Sequence, residues 1–200
     1  MKHYVKIIIF LLLIFNIGNA QESVTIKETK QAQLNNKLGF AGSMFSGYGL
    51  SYEYSVSQDF TVEFTGSIYG SGGNSNNYND NSYIMMTLGS ELQKNWFTSQ
   101  DSRFYTFLGI SYWLDNTNYN YNNTKTDKND YVGGLGLGWE FTFGKKIIFN
   151  IEGGYLYRDM NSKGNELIYD PFGGKENLQP FSRHSYYLGF GIGGGIYYSF

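Results

Sequence analysis

Counting back by twos from the C-terminus, the chain reads Phe200, Tyr198, Ile196, Gly194, Ile192, Phe190, Leu188, Tyr186. The residues between them are Ser199, Tyr197, Gly195, Gly193, Gly191, Gly189, Tyr187 and Ser185. A period of two belongs to a β-strand, whose successive side chains leave opposite faces. One face here is large and apolar; the other is mostly small and weakly polar. A soluble barrel would turn the large face inward. Small residues suit a crowded interior and large apolar ones suit lipid, so the segment reads as a strand of a membrane barrel.

The same alternation recurs along the chain. It predicts eight strands near Lys37–Met44, Tyr48–Val56, Phe60–Gly70, Tyr83–Trp96, Phe104–Leu114, Tyr131–Phe143, Ile147–Arg158 and His184–Phe200. In the second, Tyr48, Leu50, Tyr52 and Tyr54 point outward and Gly49, Ser51, Glu53 and Ser55 inward. In the third, Val62 and Phe64 alternate with Thr61, Glu63 and Thr65. The fourth and fifth are less regular: Ser90 and Lys94 fall on the outward parity, Phe107 and Trp113 on the inward one. The expected fold is all-β, an eight-stranded antiparallel up-and-down transmembrane barrel over residues 37–200.

Connections support this. Ser57–Asp59, Thr98–Arg103 and Gly144–Lys146 are short; Ser71–Ser82, Asn116–Asp130 and Asn161–Arg183 are long, and the first hairpin, around Phe45–Gly47, is the exception. Short periplasmic turns and longer external loops are the outer-membrane pattern. Both prolines, Pro171 and Pro180, are expected in the last loop. Tyr, Phe and Trp of outward parity gather toward the two ends of the strands, as interfacial girdles do.

The start of the chain points the same way. Lys2 and Lys6 precede the apolar run Ile7–Phe15, and small residues lead to Ala20. This is the form of a secretory signal peptide (residues 1–20), with cleavage expected after Ala20, and the run is too short to span a bilayer as a helix. Residues 21–36 then form a short polar periplasmic segment. There is no cysteine, so disulfides, thiol chemistry and an N-terminal lipidated cysteine are excluded. Beyond the signal, 13 basic residues face 17 acidic ones, which argues against nucleic acid as a partner. The mean hydropathy of −0.37 looks soluble only because loops and inward faces are polar.

With signal peptide, eight strands, turn asymmetry and a terminal Phe200 backed by Tyr198 and Ile196, the chain resembles the small eight-stranded outer-membrane β-barrels of the OmpX, OmpW and opacity-protein type. The resemblance covers about residues 37–200. It implies a location in the bacterial outer membrane, outer-membrane lipid as surroundings and a monomer. It also implies that Ile196, Tyr198 and Phe200 form the signal read by the barrel assembly machinery.

Candidate chemistry lies inside. Glu53 and Glu63 flank one short turn, Glu140 and Glu152 flank another, and Glu91 sits higher on the fourth strand. Lys37 shares their parity at the same end; Arg158 is inward near the other end. These seven residues read as a polar network filling the lumen, since an eight-stranded barrel is just wide enough for side chains. The alternative is a narrow carboxylate-lined cation or solute path. No cofactor, metal site or catalytic set is expected. Gly189–Gly194 matches G-x-G-x-x-G, but it lies inside a strand with no helix after it, so its glycines read as space makers. His184, beside Ser182 and Ser185, raises a lipid A hydrolase as a weaker reading; the deacylase family would place a serine where this chain has Tyr186. The expected function is non-enzymatic, either envelope integrity or presentation of the long loops to an extracellular ligand.

Overall fold

A computed structural model describes residues 36–72, 81–119, 124–144, 146–169 and 176–200. The expected signal peptide, nearly all of the N-terminal segment and Pro171 lie outside these residues. Eight antiparallel strands close into one barrel: β1 (Lys37–Ser43), β2 (Gly47–Ser55), β3 (Phe60–Gly72), β4 (Asn81–Thr98), β5 (Ser102–Tyr119), β6 (Thr124–Phe143), β7 (Ile147–Tyr169) and β8 (Glu176–Ser199). Each strand pairs with its sequence neighbour, and β1 closes the ring on β8. Closure leaves no open sheet along the short-turn half of the molecule, the condition for a β-structure in lipid.

The faces sort as the alternation requires. Phe40, Ile68, Ile151, Tyr155 and Leu188 are exposed on the outside, whereas Ser51, Glu53, Thr61, Glu63, Thr87 and Gln93 are almost fully buried inside. The barrel is apolar outside and polar in the short-turn half of its lumen, the reverse of a soluble domain.

The ladder also fixes the stagger. One rung runs Lys37, Glu53, Glu63, Glu91, Gly109, Gly134, Leu156 and Gly189 through β1 to β8. Lys37 itself pairs with Ser199, so the rung returns to β8 ten residues away from where it began. Strands of a closed barrel must tilt to absorb such a shift. Residues on one rung therefore climb through the lumen from β1 onward.

From β3 onward the strands are longer than the apolar alternation indicates, mostly at the long-loop end, while β4 and β5 also gain two residues each at the short-turn end. Most of Asn116–Asp130 belongs to β5 and β6, and most of Asn161–Arg183 to β7 and β8. Polar residues continue an established ladder outside lipid, helped by cross-strand Lys128–Asp115 (3.8 Å) and Arg183–Glu166 (2.7 Å) pairs. The expected loop residue Pro180 lies in β8, opposite Asn165. At that height β8 has no second neighbour among the described residues, because β1 stops at Ser43 opposite Gly193. An edge strand tolerates the missing N–H. Ser90 and Lys94 sit in regular register; the irregularity is one step on, between Asn95 and Phe97, with Trp96 as the extra residue.

Candidate functional site in the barrel lumen

The lumen is filled in three tiers. The lowest is an ionic knot. Lys37 Nζ donates to Glu53 Oε2 at 2.7 Å and to both Glu140 oxygens at 2.8 and 2.7 Å. Arg103 Nη2 donates to Glu53 Oε2 at 3.0 Å, to Gln93 Oε1 at 2.7 Å and to Glu140. Its Nη1 reaches Thr61 Oγ1 at 2.8 Å and Asn95 Oδ1 at 3.0 Å, and the guanidinium lies 4.4 Å from the Tyr105 ring centre. Two cations thus meet two carboxylates, all buried. Removing any single member would leave a buried charge without its partner.

The middle tier is acidic. Glu63, Glu91 and Glu152 each offer an oxygen within 4.8 Å of the other two. Neutral groups hold them. Ser51 and Thr65 hydroxyls donate to Glu63 Oε1 at 2.6 and 3.1 Å, as does Tyr197 Oη at 2.9 Å. Gln93 Nε2 donates to Glu63 Oε2 at 3.0 Å. Tyr105 Oη donates to Glu152 Oε1 at 2.8 Å.

The top tier is apolar. Phe45, Tyr105, Phe107, Val132 and Leu156 form one buried cluster with Trp113 against it. Phe45 comes from the β1–β2 hairpin, which folds inward. Its ring meets Phe107 edge-on at 4.8 Å. Gly47, in the left-handed region at φ 89°, makes that turn possible. The inward glycines supply the volume: a Cβ at Gly136 would lie 2.7 Å from Phe107, and one at Gly191 would lie 2.5 Å from Leu156 and 3.0 Å from Phe45.

The rung geometry explains which glutamates meet. Glu53, Glu63 and Glu91 are successive cross-strand partners, but the climb lifts Glu63 and Glu91 away from the knot. Glu140 pairs with Asn150, and Glu152 lies opposite Gly138, so the two glutamates beside the Gly144 turn join different tiers. Arg158 is set apart from all of them. Its Nε donates to Asp130 at 2.9 Å, and its guanidinium sits 5.2 Å from the Trp113 ring centre.

Arg103 is the group that the sequence pattern does not reveal. The apolar alternation leaves it in a turn, but β5 begins at Ser102 and gives Arg103 the inward parity of Tyr105 and Phe107. An arginine two residues before an inward aromatic is the available signal. Phe45 is hidden in an apparent hairpin tip. His184 is exposed at the rim, with Nε2 2.8 Å from Asp159 Oδ1. Ile196, Tyr198 and Phe200 all face outward.

An interior whose lower two tiers are ions and hydroxyls, inside an exterior of aliphatic and aromatic side chains, decides the architecture. The fold is that of a small membrane-type β-barrel. No protein-family model and no curated protein sequence matches the chain. Among solved structures, it is similar to a major outer membrane protein from Thermus thermophilus, at 10% identity and TM-score 0.47, covering 83% of this chain and 98% of that one. It is also similar to CarO from Acinetobacter baumannii, at 9% identity and TM-score 0.34, covering 86% of this chain and 100% of that one. Both are distant, and the eight-strand assignment rests on the closed ladder itself.

Proposed function

We propose that this chain is a bacterial outer-membrane barrel with a sealed lumen, acting without catalysis as a membrane-embedded support for its protruding hairpins. The observation that carries the reading is the continuous filling of the interior, from the Lys37–Arg103 knot to the Phe45 cluster. A packed lumen suits a scaffold better than a conduit. The β5–β6 and β7–β8 hairpins extend well beyond the apolar belt and are rich in Asn, Tyr, Lys and Asp. Such surfaces suit recognition of an extracellular ligand or of other envelope components. The barrel works as a monomer in outer-membrane lipid, after signal-peptide removal at Ala20. The outward Ile196, Tyr198 and Phe200 are what the assembly machinery reads.

Single-channel recording tests this directly. The purified barrel, its folding established by a heat-dependent gel shift, should show no discrete conductance in a planar bilayer. Discrete cation-favouring currents would replace the scaffold by the second reading, a narrow cation path. That reading draws on the three middle-tier carboxylates. Shortening the β7–β8 hairpin to a tight turn below Gly164 should abolish surface binding while leaving the folded barrel intact.

A further inference from the structure

The lumen's charges do not balance tier by tier. In the knot, Lys37 and Arg103 match Glu53 and Glu140. One tier up, Glu63, Glu91 and Glu152 are 1%, 1% and 8% exposed. No lysine, arginine or histidine among the described residues forms an ion pair with them; every donor they have is neutral. Like charges so close in a dry interior repel strongly.

A second observation concerns acceptors that lack donors. Ser46 Oγ, on the inward-folded hairpin, is buried facing the Glu91 carboxyl and has no other hydrogen-bond partner. Asn150, 4% exposed, turns its amide nitrogen to Tyr105 Oη at 3.4 Å and leaves Oδ1 unpartnered. That Oδ1 and Tyr197 Oη line one spot, since a Cβ at Gly195 would lie 3.0 and 2.9 Å from them. Tyr197 and Tyr105 hold Glu63 and Glu152 respectively. The tier therefore gathers oxygen acceptors from the β1–β2 hairpin, β3, β4 and β7 beyond what its own donors satisfy.

We propose that Glu63, Glu91 and Glu152 together bind one divalent cation, with Ser46 Oγ and Asn150 Oδ1 as neutral oxygens at its edge. The spacing fits. Calcium–oxygen bonds are about 2.4 Å, so ligand oxygens around one ion lie up to about 4.8 Å apart. The carboxylate oxygens fall within that limit. With oxygen donors alone and no sulfur or imidazole, the site selects calcium, magnesium or manganese over zinc or copper. The knot closes it from below and Phe45 with Leu156 from above. The ion enters as the barrel closes and then exchanges slowly. This inference does not depend on the function proposed above: a sealed scaffold or a conducting barrel could hold the ion equally.

The test is a metal count on the folded barrel. The full protein, isolated from membranes in detergent, is unfolded in urea with chelator. It is then refolded with calcium alone or manganese alone, and gel-filtered through chelator. About one ion per folded chain should remain in at least one of the two metals. The double variant E91Q/E152Q should retain at least about tenfold less. If that variant does not fold, Glu63→Asp keeps the charge but draws one ligand back, and should speed chelator-driven loss of the ion about tenfold. A folded wild-type barrel that carries neither metal above background assigns the triad to shared protons and overturns the site. So does a folded glutamine variant that holds the ion as tightly as wild type.

Discussion

Tyr105 and Gly138 are direct partners across the β5–β6 ladder, and the phenol of the first occupies the space where the second has no side chain. A Cβ at Gly138 would lie 2.6 Å from Tyr105 Oη, while that hydroxyl is fixed by Glu152 at 2.8 Å. Gly138→Ala should therefore push the ring off its acceptor. A loss of about 1–3 kcal/mol is expected from overpacking alone, read as a lower urea midpoint for unfolding from detergent or lipid. Unchanged stability would mean that the tyrosine has another place to go.

Arg103→Met should be the most damaging single change in the knot. It leaves Glu53 and Glu140 sharing Lys37, with one buried carboxylate charge uncompensated. The expected cost is about 3–5 kcal/mol. Adding Glu140→Gln to the same chain should recover a good part of it, and a double-mutant cycle over the four proteins measures the coupling. Purely additive effects would contradict the shared contact.

Phe45→Ala removes the ring that the β1–β2 hairpin inserts among Phe107, Val132 and Leu156. A cavity cost of about 3–5 kcal/mol is expected. Bilayer conductance should stay at baseline because the knot below is untouched. Current appearing in this variant alone would identify the aromatic cluster, not the ions, as the seal.

Outward residues at mid-height should resist charge. Ile151→Arg and Leu135→Arg, on adjacent strands near the middle of the belt, should each cost about 2–4 kcal/mol in lipid vesicles. The same change at Ile168, on the protruding part of β7, should cost far less. A tryptophan at position 151 should be quenched by brominated acyl chains, and one at 168 should not. Equal behaviour at both positions would place the belt elsewhere.

How much of this is readable from sequence follows from where lipid is. Within the belt, every second residue must be apolar, so Leu50, Phe64, Leu135 and Ile151 announce their strands. Above it nothing enforces the alternation. The Asn and Tyr run around Asn116–Asp130 therefore looks like loop although much of it is ladder. The inward carboxylates are legible by parity, but their grouping is not, because the stagger between Gly189 and Ser199 decides which rung neighbours stay level. Arg103 escapes because the apolar alternation of its strand begins only at Phe104, whereas the ladder begins at Ser102. Phe45 escapes because no pattern in Met44-Phe45-Ser46 says that a hairpin tip will fold inward.

The unequal wall set up by the short β1 also divides a single strand in time. From Gly193 to Ser199, β8 has partners on both sides; from Glu176 to Gly191 it has β7 alone among the described residues. Amide protons on the lower stretch can exchange with solvent only when the closed ring opens. Those on the upper stretch need only one hairpin to fray. Deuterium uptake along β8 should accordingly break into a slow and a fast regime near Ile192, the residue whose carbonyl accepts the Met44 amide at 3.1 Å as the last bond before the wall drops.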